Sequence, residues 1–299
     1  MIFSPKVVLI ALLALLNNFF VQSWFTATRF DRQITAYSNQ EANLALYVAG
    51  ATYCDLPHLF TGVLSGLNIT LNIFDDHYKT SGFVATLPSA NTIYVAYRGS
   101  SNWQNWMANL ETSMTPYTSF PTGECPGNCQ VHRGFYTALL ADFDAVTTEV
   151  RRLQSEYPTY KVKTTGHSLG AALAQLAAME LTARGVRVTN TYNFGQPRTG
   201  NKYFSAFANT LMTTYRHVHY ADPVPHVPPP QFGFVHECTE MYEPNEVYNG
   251  TIQSCGSIST SEPYGNSCEA EGKCMLSWND TQLNPDDHMI YLGVYIKCY

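Results

Sequence analysis

From residue 41 to 53 (EANLALYVAGATY) apolar side chains recur at helical spacing, whereas 83–86 and 92–97 (TIYVAY) are short, β-branched and aromatic, so a helix precedes a pair of strands. Residues 134–157 set Phe135, Leu139, Phe143, Val146, Val150 and Leu153 on one helical stripe, which Pro158 closes. A strand is expected at 160–165. The Ala- and Leu-rich run 169–184 then predicts a helix that Gly185 ends, before another strand-like run at 186–194. A helix at 201–211 and a strand at 215–220 follow, and Pro223, Pro225 and Pro228 to Pro230 interrupt regular structure. Strand, helix and strand in alternation predict parallel βαβ units: an α/β fold with a central, mostly parallel sheet flanked by helices. Residues 238–287 carry four cysteines and two glycosylation sequons, which predicts a disulfide-held excursion, and a last helix is expected over 288–294.

Composition narrows what such a fold does. The chain has 299 residues, 45% hydrophobic and 13% charged, with a formal net charge of −6. That content fills a sizeable core, and the acidic balance without a Lys/Arg run excludes nucleic-acid binding, which needs a basic footprint. At the N-terminus Lys6 precedes the ten apolar residues 7–16, and small residues suited to cleavage lie at 21 and 23. Residues 1–23 therefore read as a secretory signal peptide, because ten apolar residues are half of the roughly 20 needed for a stable membrane span. The mature chain, 24–299, is then a single domain. It is expected outside the cell or in a digestive compartment reached by the secretory pathway. On that route Asn68, Asn249 and Asn279 are glycosylation sites, and the eight cysteines are disulfides. The loop Cys125-Pro-Gly-Asn-Cys129 reads as a local disulfide around a turn, since no second pair with histidines follows to complete a metal site.

Gly166-His167-Ser168-Leu169-Gly170 lies between a predicted strand and a predicted helix, the context of a nucleophile elbow. A serine hydroxyl attacks only when a base takes its proton, and that base needs an acid to fix its tautomer. In this fold the acid precedes the histidine. Asp222 opens the Pro-rich loop and His288 lies near the C-terminus. Asp287 is the rival acid, but neighbours on one backbone seldom turn their side chains face to face. His217, His219 and His226 read as structural, and His167 as packing beneath the elbow. Charge developing on an attacked carbonyl needs pre-aimed N–H donors. The Leu169 amide is one by position, and Ser100, following strand 92–97, offers the other, with its hydroxyl fixing the loop.

YRGS with SNWQNWMANL, then VHRGF, GHSLG, GQPRTGN, DPVPHVPP and DHMIYLG, resembles the fungal-type class 3 (triacylglycerol) lipases, an α/β-hydrolase family, in order and rough spacing from about residue 45 onward. The resemblance implies a triad of Ser168, Asp222 and His288 with oxyanion donors at Ser100 and Leu169. It also implies disulfides Cys54–Cys298, Cys125–Cys129 and Cys255–Cys268. Cys238 and Cys274 are left to each other by elimination, and that extra pair departs from the family pattern.

After Ser100, the residues Trp103, Trp106, Met107 and Leu110 fall at i, i+3, i+4 and i+7, an apolar stripe on a short helix. By the resemblance this is a lid over the site that turns to lipid at an interface. The expectation is a secreted, glycosylated carboxylic ester hydrolase, working as a monomer on acylglycerols at a lipid–water interface. It requires no metal or organic cofactor and has no stable membrane span. A feruloyl-type esterase, a phospholipase A1 and an inactive lipid-binding protein are the alternatives.

Overall fold

The strand Thr92–Tyr97 (β3) alternates between two apolar layers, with Ile93, Val95 and Tyr97 on one side and Tyr94 and Ala96 on the other. A strand buried on both faces belongs in the middle of a helix-covered sheet. The computed structural model describes residues 35–299 except 122, 126, 257–267, 270–272 and 280. The expected leader at 1–23 lies outside the described residues. Among them, the main sheet contains β1 (Asn68–Asp75), β2 (Thr80–Leu87), β3, β4 (Lys161–His167), β5 (Val188–Phe194), β6 (Thr214–His219), β7 (Glu240–Glu243) and β8 (Gln253–Cys255). Their spatial order follows the sequence. Neighbours from β3 to β7 are parallel, and β1/β2, β2/β3 and β7/β8 are antiparallel.

Besides α1 (Asn39–Ala51) and α2 (Trp103–Ala108), the helices are α3 (Arg133–Leu140), α4 (Phe143–Glu156), α5 (Leu169–Ala183) and α6 (Lys202–Leu211). Right-handed crossovers between successive neighbours put their helices on one face. Accordingly Phe135, Val150, Leu173 and Phe204, from α3, α4, α5 and α6, share one cluster with Val95 and Val162. On the opposite face α1, N-capped by Ser38, packs Ala42, Ala45, Leu46 and Ala49 on Tyr192, Phe194 and Tyr215. Glu41 of α1 also pairs with the buried Lys163 of β4 at 2.8 Å. Residues 33–299 form one compact unit.

Three expectations change. The helix expected over 134–157 is two helices, although its stripe residues still share one cluster. No helix covers 288–294. A 3-10 turn (Pro285–Met289) leads instead into a hairpin pairing Ile290–Tyr291 with Val294–Tyr295, whose linking residues Leu292 and Gly293 have φ of 52° and 75°. Two successive left-handed residues make a tight hairpin turn and cannot continue a helix. Cys54–Cys298 and Cys125–Cys129 pair as expected, but the last four cysteines pair Cys238–Cys268 and Cys255–Cys274, not Cys255–Cys268 and Cys238–Cys274. The edge strand explains the exchange. Cys255 lies opposite Glu240, whose carboxylate accepts from the Met275 N–H at 2.9 Å and so brings Cys274 to the sheet edge. Cys238 is buried with its N–H on Asn209, and Cys268 is buried beside Glu269, which reaches Arg198. Part of the excursion thus belongs to the main sheet, as β7 and β8.

Candidate active site

The chain leaves β4 and enters α5 through Ser168, which has φ 59° and ψ −131°. A bend this tight admits no side chain beside it. A Cβ on Gly166 would overlap the Gly170 carbonyl, and one on Gly170 would overlap the Tyr97 carbonyl. The two glycines of the motif are therefore required by space. The Ser168 N–H donates to the Phe194 carbonyl at 2.9 Å, fixing the elbow to β5. The Leu169 N–H opens α5 at the helix N-terminus, where donors lack intrahelical partners. Ser100 follows β3 at the same sheet edge, and its hydroxyl accepts from the Asn102 N–H at 3.3 Å, tying the loop to α2.

Asp222 follows β6 and is fully buried. Its carboxylate accepts from His288 Nδ1 at 3.0 and 3.2 Å, from the Val224 N–H at 2.9 Å, and from the Tyr291 hydroxyl. Burial alone would raise its pKa. The facing His288 and these hydrogen bonds outweigh burial and hold the carboxyl below its usual value. With Nδ1 donating to Asp222, His288 presents Nε2 as an acceptor. Neither that nitrogen nor Ser168 Oγ has a hydrogen-bond partner among the described residues, and both are buried. Both atoms are thus free of other hydrogen-bond partners, and hydrogen bonds between an acid–base pair often form only around substrate.

Asp287 faces away from His288. Its carboxylate accepts from the Ala221 N–H at 3.3 Å and lies 3.8 Å from His219. His217 contacts Glu243 and His219 contacts the Asp287 carbonyl, while His226 uses its carbonyl to accept from Arg198. His167 packs beneath the elbow between Tyr53 and the His288 carbonyl. Sequence reasoning missed Tyr291 and Tyr53. Tyr291 stands three residues past His288 in DHMIYLG, a spacing that flags it, whereas Tyr53 follows the end of α1 with no pattern to mark it.

The apolar stripe of α2 lies over His288. Trp103 is buried with its ring 4.7 Å from that of His288, and Trp106 stacks on Phe135 at 6.1 Å. Met107 and Leu110 are half-buried, the latter just beyond the end of α2. The cysteine-containing groups with metal-like spacing, Cys54–His58–Cys298 and Glu240–Cys255–Cys274, have their sulfurs in disulfides.

A strained serine at a strand–helix elbow, preceded by His167, whose ring lies 4.5 Å from that of the Asp-held His288, at the carboxyl edge of a mostly parallel sheet, defines an α/β-hydrolase. Residues 94–232 match the family "Lipase (class 3)". It is 38% identical over 188 residues to a lipase of Rhizomucor miehei, covering 60% of this chain and 49% of that one. It is 28% identical over 225 residues to the secreted mono- and diacylglycerol lipase A of Penicillium camembertii, covering 74% and 71%. The solved structure of Rhizomucor miehei triacylglyceride lipase superposes with a TM-score of 0.75 at 28% identity, covering 88% of this chain and 98% of that one. By sequence, then, the chain spans about half the length of the Rhizomucor relative.

Proposed function

We propose that the protein is a carboxylic ester hydrolase acting on acylglycerols, exported by the secretory pathway and glycosylated at Asn68, Asn249 and Asn279. The observation that carries this reading is the buried Asp222–His288 pair, which lies against His167 of the serine elbow with Trp103 of an apolar helix on the His288 ring. Ser168 Oγ attacks the acyl carbonyl while His288 Nε2 takes its proton, and Asp222 holds the imidazole in the right tautomer and stabilises its cation. The Ser100 and Leu169 N–H groups hold the oxyanion. His288 then protonates the leaving alcohol, and water releases the acyl group by the same steps in reverse. All three sequon asparagines are exposed, as attachment of a glycan requires. Among the described residues no helix is long and apolar enough to cross a membrane. The mature chain acts as one domain, as a monomer.

The apolar cover over His288 favours acylglycerols over soluble aromatic esters. Ser168→Ala should fold normally and lose esterase activity by several orders of magnitude. Activity within tenfold of wild type would remove Ser168 from the mechanism. A panel of emulsified triacylglycerol, phospholipid and methyl ferulate identifies the substrate class.

A further inference from the structure

Beneath the site a second chain of hydrogen bonds joins its parts. The Gly99 N–H donates to Tyr53 Oη at 3.2 Å, and Tyr53 lies 2.7 Å from His167 Nδ1. His167 Nε2 lies 2.8 Å from the His288 carbonyl. The end groups fix every direction. A backbone N–H only donates, so Tyr53 accepts from Gly99 and gives its own proton to Nδ1. A carbonyl only accepts, so His167 carries its proton on Nε2. One neutral tautomer satisfies both ends. Burial first, and then the neighbouring His288, push the His167 pKa down to about 3, so the ring stays neutral throughout the working range.

The chain touches each moving part of the proposed reaction. Gly99 precedes the oxyanion donor Ser100, His167 precedes the nucleophile Ser168, and the His288 carbonyl belongs to the base. Space is closed as well: a Cβ on Gly99 would press on the Tyr53 hydroxyl, the His167 carbonyl and Ser168 Cβ. The His167 ring also lies 4.5 Å from that of His288. We propose that Tyr53 and His167 are positioning residues that lock the oxyanion loop, the elbow and the catalytic histidine into one register, an assignment that rests on the ester-hydrolase reading. Neither touches the reacting atoms. They hold the donor and the base where the transition state needs them, and small displacements at such positions are costly.

The test uses a soluble short-chain ester, a boronic acid that forms a tetrahedral adduct with the serine, and a phosphonate label. Tyr53→Phe keeps the ring and removes only the hydroxyl. It should lower kcat about tenfold with KM within about twofold, and weaken boronic acid binding by the same factor as kcat. His167→Gln retains a donor for the His288 carbonyl and should recover part of what His167→Leu loses. Adding Tyr53→Phe to His167→Leu should cost less than about twofold more, because the chain is already broken. Independent, multiplicative losses would overturn the proposal, as would a lowered Tm with unchanged kcat and boronate affinity. If His167→Leu does not fold, Tyr53→Phe with the boronate still decides. Failure of the phosphonate to label Ser168 in wild type defeats the ester-hydrolase reading itself. Equal labelling of wild type and Tyr53→Phe defeats only the positioning role.

Discussion

The sheet has two unlike halves. Around β3 to β5 the interior facing α5 is mostly apolar: α5 buries Leu173, Leu176, Ala177 and Leu181 against Val95 and Val162, and among the described residues charge on the other face is limited to pairs such as Lys163–Glu41. Around β6 to β8 the interior is charged. Arg198, Arg216, Glu237, Glu240 and His236 are all essentially inaccessible, and the disulfides Cys238–Cys268 and Cys255–Cys274 tie the segments that carry or flank them. The first half is held by non-directional burial that tolerates exchange among apolar residues. The second is held by individual pairs, each of which fails when one partner is lost. The proposed nucleophile, Ser168, sits in the first half and its proposed acid and base, Asp222 and His288, in the second. On that reading catalysis depends on the half whose structure is less forgiving.

The largest expected effect tests whether the second half contributes chemistry as well as support. Asp222→Asn should leave the fold intact and reduce turnover by about 10³ to 10⁴, because the imidazole then takes the wrong tautomer. Asp287→Asn, which touches only the Ala221 N–H and the vicinity of His219, should remain within about tenfold of wild type. Steady-state rates on a soluble ester compare the two. Reversed losses would make Asp287 the acid.

The difference between the halves also explains what the sequence conveyed. Elements of the first half were legible because their burial is periodic: the stripe from Phe135 to Leu153 lies in one cluster although the helix breaks near Asp142. The elbow was legible because sterics demand two glycines. The cysteine partners were not, since Gly256 beside Cys255 lies against Cys268 and proximity alone admits both pairings. Nor were β7 and β8, where Glu240 and Glu243 are buried on pairs that no local pattern announces. Tyr53 escaped notice because its partners are 46 and 114 residues away.

Stability measurements should separate the halves next. Arg198 is buried, pairs with Glu269 at 2.6 Å, and donates to the His226 and Pro228 carbonyls of the acid loop. Arg198→Met should cost about 3–5 kcal/mol, since it removes a buried charge pair and the two carbonyl hydrogen bonds that hold that loop. Leu173→Ala in the apolar half should cost about 2–5 kcal/mol, set by how far its cavity collapses. Denaturant midpoints at constant m give both values. A neutral Arg198→Met would show that the charged half does not rest on its pairs.

A gentler probe is pH. Asp222 has its folded pKa depressed, so its contribution is present above the unfolded value of about 4 and is lost as pH falls through the folded one. Glu237 and Glu240 are raised, chiefly by burial and against the pull of Arg216 and hydrogen bonds. The folded state then holds their protons longer, and stability falls as pH rises from the unfolded value, about 4.3, through the raised ones. Removing one such group should flatten that slope. Unfolding of Glu237→Gln, compared with wild type between pH 5 and 7, should show a smaller gain on acidification, and an unchanged slope would mean that Glu237 stays ionised.

The smallest effect concerns the piece that spans both halves. Helix α2 belongs to the loop after β3, yet its Trp103 lies on His288, while Trp106 stacks on Phe135 of the apolar half. Six residues are too few for a stable helix alone, so packing holds it in place. Opening in water exposes apolar surface at about 25 cal/mol per Å². At a lipid surface the stripe finds another apolar partner, and the population shifts by the difference in affinity between the two states. Trp106→Gln with Met107→Gln should therefore weaken binding to emulsions severalfold, with hydrolysis of a monomeric ester kept or raised by about two- to threefold. Only the half-buried residues are changed, and Trp103 is left on the histidine, so the site itself stays intact. Initial rates measured across the solubility limit of the substrate should rise steeply at that limit in wild type and less so in the double variant. A smooth saturating curve in both would mean that α2 is a fixed wall joining the halves, and would move the substrate class toward soluble esters.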